Sequence, residues 1–246
     1  MNCPSFAYIA KKERGEIVKR KIRLLIMFAV ALGIIVLSQK LSSYVQSAAV
    51  GEKEVEVVID AGHGGADPGK VGVNNVLEKD INLQIAKKVQ RNLENIGISV
   101  AMTREDDQGF YDDAAGNKKL ADMEKRVQMI EEVEPKVVVS IHQNSYSDSS
   151  VTGAQVFYHG MSKEGETLAQ VLQQELWTLN PEKKRQIKAN DTYYMLRKTK
   201  VPTVIVECGF LSNYEEAQKL MEETYQEELS LAITNGIIKW LDKSTE

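Results

Sequence analysis

The sequence predicts one α/β domain built on a mixed, largely parallel twisted sheet flanked by helices. Three observations carry this expectation. Short β-branched runs recur along the chain, as VVID (57–60), KVVVSIH (136–142) and TVIVE (203–207). Helix-period patterns separate them, as expected where helices cover a parallel sheet. Each run also ends on, or breaks just beyond, a residue able to bind a metal or move a proton: His63, His142 and Glu207. Sites in such sheets gather at the carboxyl ends of strands.

Residues 1–23 form a basic region expected to stay in the cytoplasm, 24–38 a signal or transmembrane segment, and 39–53 a linker. Leu24–Leu37 (LLIMFAVALGIIVL) is uncharged and follows Lys19, Arg20, Lys21 and Arg23. A basic flank before an apolar run describes a secretory signal or an uncleaved anchor. At ~1.5 Å per residue the run is short for a ~30 Å hydrocarbon core unless its flanks extend it. The small residues Ser47, Ala48 and Ala49 offer a cleavage site, but one far from Leu37. Both readings stay open, and both export the chain from about residue 50. A buried core helix fits less well, because the run is apolar all round.

The folded domain is expected over 54–242. Glu54–Asp60 reads as the first strand, followed by a glycine-rich loop (61–77) with the turn Asp67-Pro68-Gly69. Ile81, Ile85, Val89 and Leu93 repeat at four-residue spacing and predict a helix over about 78–96, stopped by Gly97. Ile98–Thr103 reads as a strand, 104–117 as a long acidic loop and Lys118–Val133 as a helix. Beyond Pro135, a strand is expected over Lys136–Ile141 and another over Gly153–His159. A helix follows over 163–179, then short strands at Tyr193–Arg197 and Thr203–Glu207, and helices at about 214–221 and 224–241. No repeat or second domain is visible.

The formal charge of the 246-residue chain is −4, unevenly spread: residues 50–246 hold 23 basic against 33 acidic side chains. A domain so acidic lacks the basic footprint that phosphate binding needs, so nucleic acid is excluded as a partner. The two cysteines, Cys3 and Cys208, flank the apolar segment, which makes a disulfide within one chain implausible. Cys208 reads as a small buried side chain.

Hydrolytic zinc sites take three protein ligands, commonly His and carboxylate, and keep a position for water. His63 in its glycine loop, His142 at a strand end and Glu78 at a helix start make such a set. Each has a plainer alternative. Asn75-Val76-Leu77-Glu78 matches a capping box, so Glu78 can simply cap its helix. His63 fits a loop and His142 a satisfied core position. Together, at the expected ends of three elements, they favour the metal. His159 reads as exposed or structural. HExxH, GxSxG and a Walker-A lysine are all absent. Glu207, at the end of an apolar run, suits the general base that a metal-activated water needs. Its alternative is a buried acid paired with Arg197, which can instead hold a substrate carbonyl or carboxylate.

The motifs IDAGHGGADPG, LEKDINL, MTRED, SIHQNS, YYMLR and VECGFLSNYEEA span about residues 55–218 in order. Together they resemble the zinc-dependent N-acetylmuramoyl-L-alanine amidases of the Amidase_3 family. The resemblance implies cleavage of the amide between the lactyl group of N-acetylmuramic acid and L-alanine in peptidoglycan. It assigns one zinc ion to His63, Glu78 and His142, acid/base catalysis to Glu207, and substrate contact to Arg197 and Asn144. Within the family, LEKDINL and GAQVFYH (153–159) are most similar to the spore-germination branch. That implies work in the spore cortex, preparing alternate muramic acids for conversion to muramic-δ-lactam. A membrane tether through the N-terminal segment and an exported activator protein are expected partners. Gln143, where alanine is frequent, and the 104–117 loop depart from the pattern and bear on specificity. A vegetative wall amidase, a zinc peptidase acting on the stem peptide, and a non-catalytic wall-binding protein remain as alternatives.

Overall fold

The computed structural model describes residues 54–110 and 116–244, with Met27 and Gly33 besides. The expected cytoplasmic, membrane and linker segments (1–53), apart from those two positions, and the centre of the acidic loop (111–115) lie outside these residues. Among the described residues no helix is long and apolar enough to cross a membrane.

Six strands form the sheet: β1 (Val57–Ala61), β2 (Val100–Met102), β3 (Val137–Asn144), β4 (Gln155–Tyr158), β5 (Lys188–Ala189) and β6 (Thr203–Phe210). Their order is β2-β1-β3-β6-β4-β5. All neighbours run parallel except β4 against β6. Among the described residues from Glu54 on, six helices accompany them: α1 (Glu78–Asn95), α2 (Lys118–Val133), α3 (Lys163–Leu176), α4 (Tyr194–Lys198), α5 (Tyr214–Met221) and α6 (Glu223–Ser244).

The period of two along each strand sorts the residues between two layers. Val57, Ile59 and Ala61 of β1, Val137, Val139 and Ile141 of β3, and Val204, Val206 and Cys208 of β6 join one core with α1, α3, α5 and α6. The predicted stripe Ile81, Ile85, Val89 and Leu93 is fully buried there. The alternate residues Val58 and Val138 meet Val127 and Ile130 of α2 and Met195 of α4. This second face is less covered, and toward the carboxyl ends of the strands it turns polar: Asp60, Ser140, His142 and Glu207 follow Val58, Val138 and Ile205. The chain leaves β1 for β2 on one side and returns over the other face to β3. A crevice at the carboxyl ends of β1 and β3 is therefore built into the topology.

Several expected boundaries move. β6 runs three residues past Glu207 and β3 two past His142, so both residues stand within strands rather than at their ends. Residues expected as a strand at 193–197 form the helix α4 instead. Met195 and Leu196 are buried on one side of it while Arg197 and Lys198 are exposed, a pattern too short to reveal its period. The edge of the sheet is taken by β5, a two-residue pairing with β4 that the sequence does not signal.

Candidate metal centre

His142 and Glu207 are direct partners in the β3–β6 ladder, so their side chains rise from the same face of the sheet. A register shift between His142 and Asn144 marks where this pairing breaks. His63 comes from the loop after β1, and Glu78 is the first residue of α1. The capping box is not formed. The α1 N-cap is Leu77, with no side-chain cap, and Asn75 takes a left-handed φ of 62°. The Glu78 carboxylate instead turns inward, 2 % exposed.

Its Oε1 lies 3.2 Å from His63 Nε2 and 2.9 Å from His142 Nδ1. One donor atom from each residue lies within 4.8 Å of the others. The second carboxylate oxygen accepts the backbone N–H of Lys70 at 2.7 Å. His63 Nδ1 meets Asp67 Oδ2 at 2.9 Å, which leaves Nε2 directed at the cluster. A carboxylate behind a histidine in this way fixes ring orientation and raises ligand basicity. Burial works against ionisation of Glu78, but hydrogen bonds from His142 and His63, and their charges, hold it far below the usual carboxylate range. Burial likewise opposes a charged His142, and the Glu78 carboxylate outweighs it, raising the imidazole. Two imidazoles crowded on one buried carboxylate are a donor set that suits a divalent ion of the zinc type.

Glycines make the close approach possible. A Cβ on Gly62 would stand 2.3 Å from the His142 ring, and one on Gly69 2.6 Å from Glu78 Oε2 and 2.7 Å from the His63 ring. His63 itself holds a left-handed φ of 62°, which costs about 1–2 kcal/mol for a residue with a Cβ. Two buried arginines clamp the loop that carries it. Arg126 donates to Ala61 O (2.8 Å) and His63 O (2.7 Å). Arg104 donates to Ala61 O (2.8 Å) and Gly62 O (3.1 Å). Asp60 answers Arg126 at 2.8 Å and accepts hydrogen bonds from Thr103 and Ser140.

Glu207 is 7 % exposed, and its Oε2 finds no hydrogen-bond partner among the described residues. Burial, reinforced by the Glu78 charge and opposed by His142 and His63, pushes its carboxyl up to about 7. Together these groups line a cleft of about 450 Å³, whose wall also includes Tyr193, Tyr194, Lys119, Asp122 and Met123.

A family model described as N-acetylmuramoyl-L-alanine amidase, Amidase_3, matches residues 57–239. The chain belongs to this amidase family. It is 34 % identical over 187 residues to the germination-specific N-acetylmuramoyl-L-alanine amidase of Bacillus subtilis, covering 75 % of this chain and 78 % of the relative. Among solved structures, the CwlD amidase from Clostridioides difficile, in complex with the GerS lipoprotein, superposes with a TM-score of 0.74 at 36 % identity. That match covers 76 % of this chain and 98 % of the other. The amidase AmiC2 of Nostoc punctiforme gives 0.67 at 33 % identity, covering 78 % and 99 %.

Of the residues singled out in this amidase sequence, His63, Glu78, His142, Glu207 and Asn144 line the one cleft. Arg197 does not. It sits exposed on α4 and is absent from the cleft wall, so Glu207 is not its ion-pair partner and the pairing considered for these two residues is not made. His159 lies at the surface near Asp191, at 3.6 Å. Cys208 is fully buried on the opposite face of β6, its thiol pushed up by burial. Sequence reasoning passed over Asp67, Arg104 and Arg126. An acid four residues after His63 in a glycine loop was the available signal for Asp67. An arginine inside a helical pattern gives none for Arg126.

Proposed function

We propose that the domain over 54–242 is a zinc-dependent peptidoglycan amidase in which His63, Glu78 and His142 hold one zinc ion. A zinc ion there supplies Lewis-acid polarisation of an amide carbonyl and of water. Glu207 takes a proton from the attacking water and returns it to the departing L-alanine nitrogen. The observation that carries this reading is Glu207 itself. A carboxylate oxygen buried without a hydrogen-bond donor costs stability, and here it stands across one ladder rung from His142. A carboxyl poised near 7 accepts and gives back a proton at neutral pH with little penalty either way.

Asp67 and Gln143 act through position. Asp67 orients His63, and Gln143, whose backbone N–H reaches Glu78 Oε1 at 3.1 Å, helps to seat the carboxylate. Asn144, in the wall of the cleft, offers an amide for the substrate backbone. Arg197 has no part in this scheme. The names of the relatives support action in the spore cortex, on the bond between the lactyl group and L-alanine. Export through the 24–38 segment, by cleavage or anchoring, and an exported lipoprotein activator belong to the same proposal.

The test is zinc stoichiometry and release of new N-terminal L-alanine from peptidoglycan, using the full-length chain with and without an exported partner. Glu207→Gln is expected to keep one zinc per chain and to lose at least about a hundred-fold in turnover. Loss of metal together with activity would make Glu207 a ligand instead. Peptides that begin at a residue other than L-alanine would identify a peptidase.

A further inference from the structure

A second groove, of about 500 Å³, continues from the first: Asn144 and Tyr193 line both. Its wall includes Gln155 and Phe157 of β4, Lys188 of β5, Arg185 before it and Phe210 at the end of β6. Gln155 is the direct ladder partner of Glu207, so the two side chains share a face of the sheet. Arg185 rests on Gln155 Oε1 through Nε (3.3 Å) and Nη2 (3.2 Å), and on Thr152 O at 3.4 Å. The groove thus starts one rung from Glu207 and carries a guanidinium at that point.

The charges there are unmatched. Among the described residues neither Arg185 nor Lys188 has an ion-pair partner, and the oxygens that Arg185 meets are neutral. Glu216, whose carboxylate lies within the field of Arg185, is occupied by the backbone N–H groups of Gly153 and Phe210. On the β1 side of the first cleft Lys119 is answered by Asp67 at 3.8 Å and Arg126 by Asp60 and Asp122. Two free cations in a domain rich in acids mark the place where an anionic part of a ligand belongs. The aromatic residues do not suggest a sugar platform. The Arg185 guanidinium lies 5.1 Å over the Phe210 ring and the Lys188 ammonium 5.9 Å over Phe157, so those ring faces are already covered.

We propose that this groove is the subsite for the stem peptide, with the free carboxylates of the residues after L-alanine set against Arg185 and Lys188. The inference rests on the amidase reading of the neighbouring centre. It also sets the polarity of the substrate. The acidic peptide leaves the cut bond toward β4 and β5, and the uncharged glycan passes on the side of Lys119 and Met123.

The test compares binding of two synthetic tripeptides, L-Ala-γ-D-Glu-L-Lys and its glutamyl α-carboxamide, to the full-length zinc-loaded chain by calorimetry. Any contact of the peptide amino group with zinc is common to both and cancels. The free acid is expected to bind about ten-fold more tightly, the value of one charge-assisted contact. Arg185→Gln with Lys188→Gln should erase that preference. Because Arg185 packs on Phe210, the exposed Lys188→Gln single variant is the second arm, expected to lose part of it with an unchanged melting temperature. A wild type indifferent to the amide, or variants that discriminate as the wild type does, would overturn the subsite. Hydrolysis of the same peptides carried on N-acetylmuramic acid is read separately. Discrimination in binding without release of the tripeptide, the exported partner being present, leaves the groove standing and removes the amidase reading, and the converse removes only the groove.

Discussion

Glu207 shows how one side chain sets stability against function. Its carboxyl is raised by burial to about 7, so the fold favours the protonated form. The sign follows: the metal-free protein is unaffected below the ordinary carboxylate range near 4.5 and loses stability as pH rises through 7. Glu207→Gln, which removes the charge, should therefore raise the melting temperature of chelated protein at pH 8.5 and leave it nearly unchanged at pH 4.5. The gain is bounded by about 3 kcal/mol, from the size of the shift. An equal effect at both values would mean that the carboxylate is not desolvated in the way its surroundings indicate. Asp67 makes a second case. Its carboxyl is held low by the His63 contact, which overcomes partial burial, and its oxygen sets which imidazole nitrogen faces the cluster. Asp67→Ala is expected to weaken zinc binding about 10–100-fold without unfolding the chain, read by competition with a chromogenic chelator. The cluster of His63, Glu78 and His142 and the buried Glu207 were legible because each is a polar residue next to an apolar run or at the start of a helix. Asp67 was hidden because a turn accounts for it equally well.

At the scale of elements, α2 is the member that ties the ligand loop to the sheet. Arg126 leaves its buried face and meets Asp122, Asp60 and the carbonyls of Ala61 and His63. Burial alone would raise Asp60, yet the Arg126 charge and the Ser140 and Thr103 hydroxyls hold it down at about 2. A depressed carboxylate stabilises the fold above its unfolded value near 3.8, and that contribution is lost as pH falls toward 2. Arg126→Met strands the buried Asp60 and should cost about 3–5 kcal/mol at pH 7 in urea unfolding. The variant's loss should shrink on going from pH 4 to pH 2.5. A cost independent of pH would show that packing, not the charge pair, is what Arg126 supplies. The bounds of α2 match the expectation at 118–133, since Asn117 caps one end and Pro135 follows the other. The segment 193–197 did not. Five residues are less than two turns, and Tyr and Leu suit either state, so only the packing of Met195 and Leu196 decides for helix. The overrun of β6 to Phe210 has a similar origin, because pairing with β3 resumes at Asn144 after the irregularity and nothing local announces it.

Taken as one body, the described residues from Glu54 to Ser244 form a single compact unit in which the three clustered donors come from separate parts of the chain. His63 follows β1, His142 lies in β3 and Glu78 opens α1, so a metal ion would join elements that otherwise meet through the β1–β3 ladder and the packing of α1 on the sheet. Without an ion, two imidazoles and a buried carboxylate must satisfy one another in a space shaped for something else. Binding to the folded state only then stabilises by mass action, about 2.7 kcal/mol at a hundred-fold excess over the dissociation constant. For a domain of this size that corresponds to a rise of roughly 5–10 °C in melting temperature. The increment should persist in Glu207→Gln, which is not a ligand, and vanish in His142→Ala and Glu78→Gln. Gly62→Ala should lose it as well, since the added methyl would occupy the place of the His142 ring. Differential scanning calorimetry of the full-length chain, chelated and zinc-loaded, reads all of these. A zinc increment surviving in His142→Ala would put the ion elsewhere in the molecule and separate the metal from the cleft that Glu207 faces.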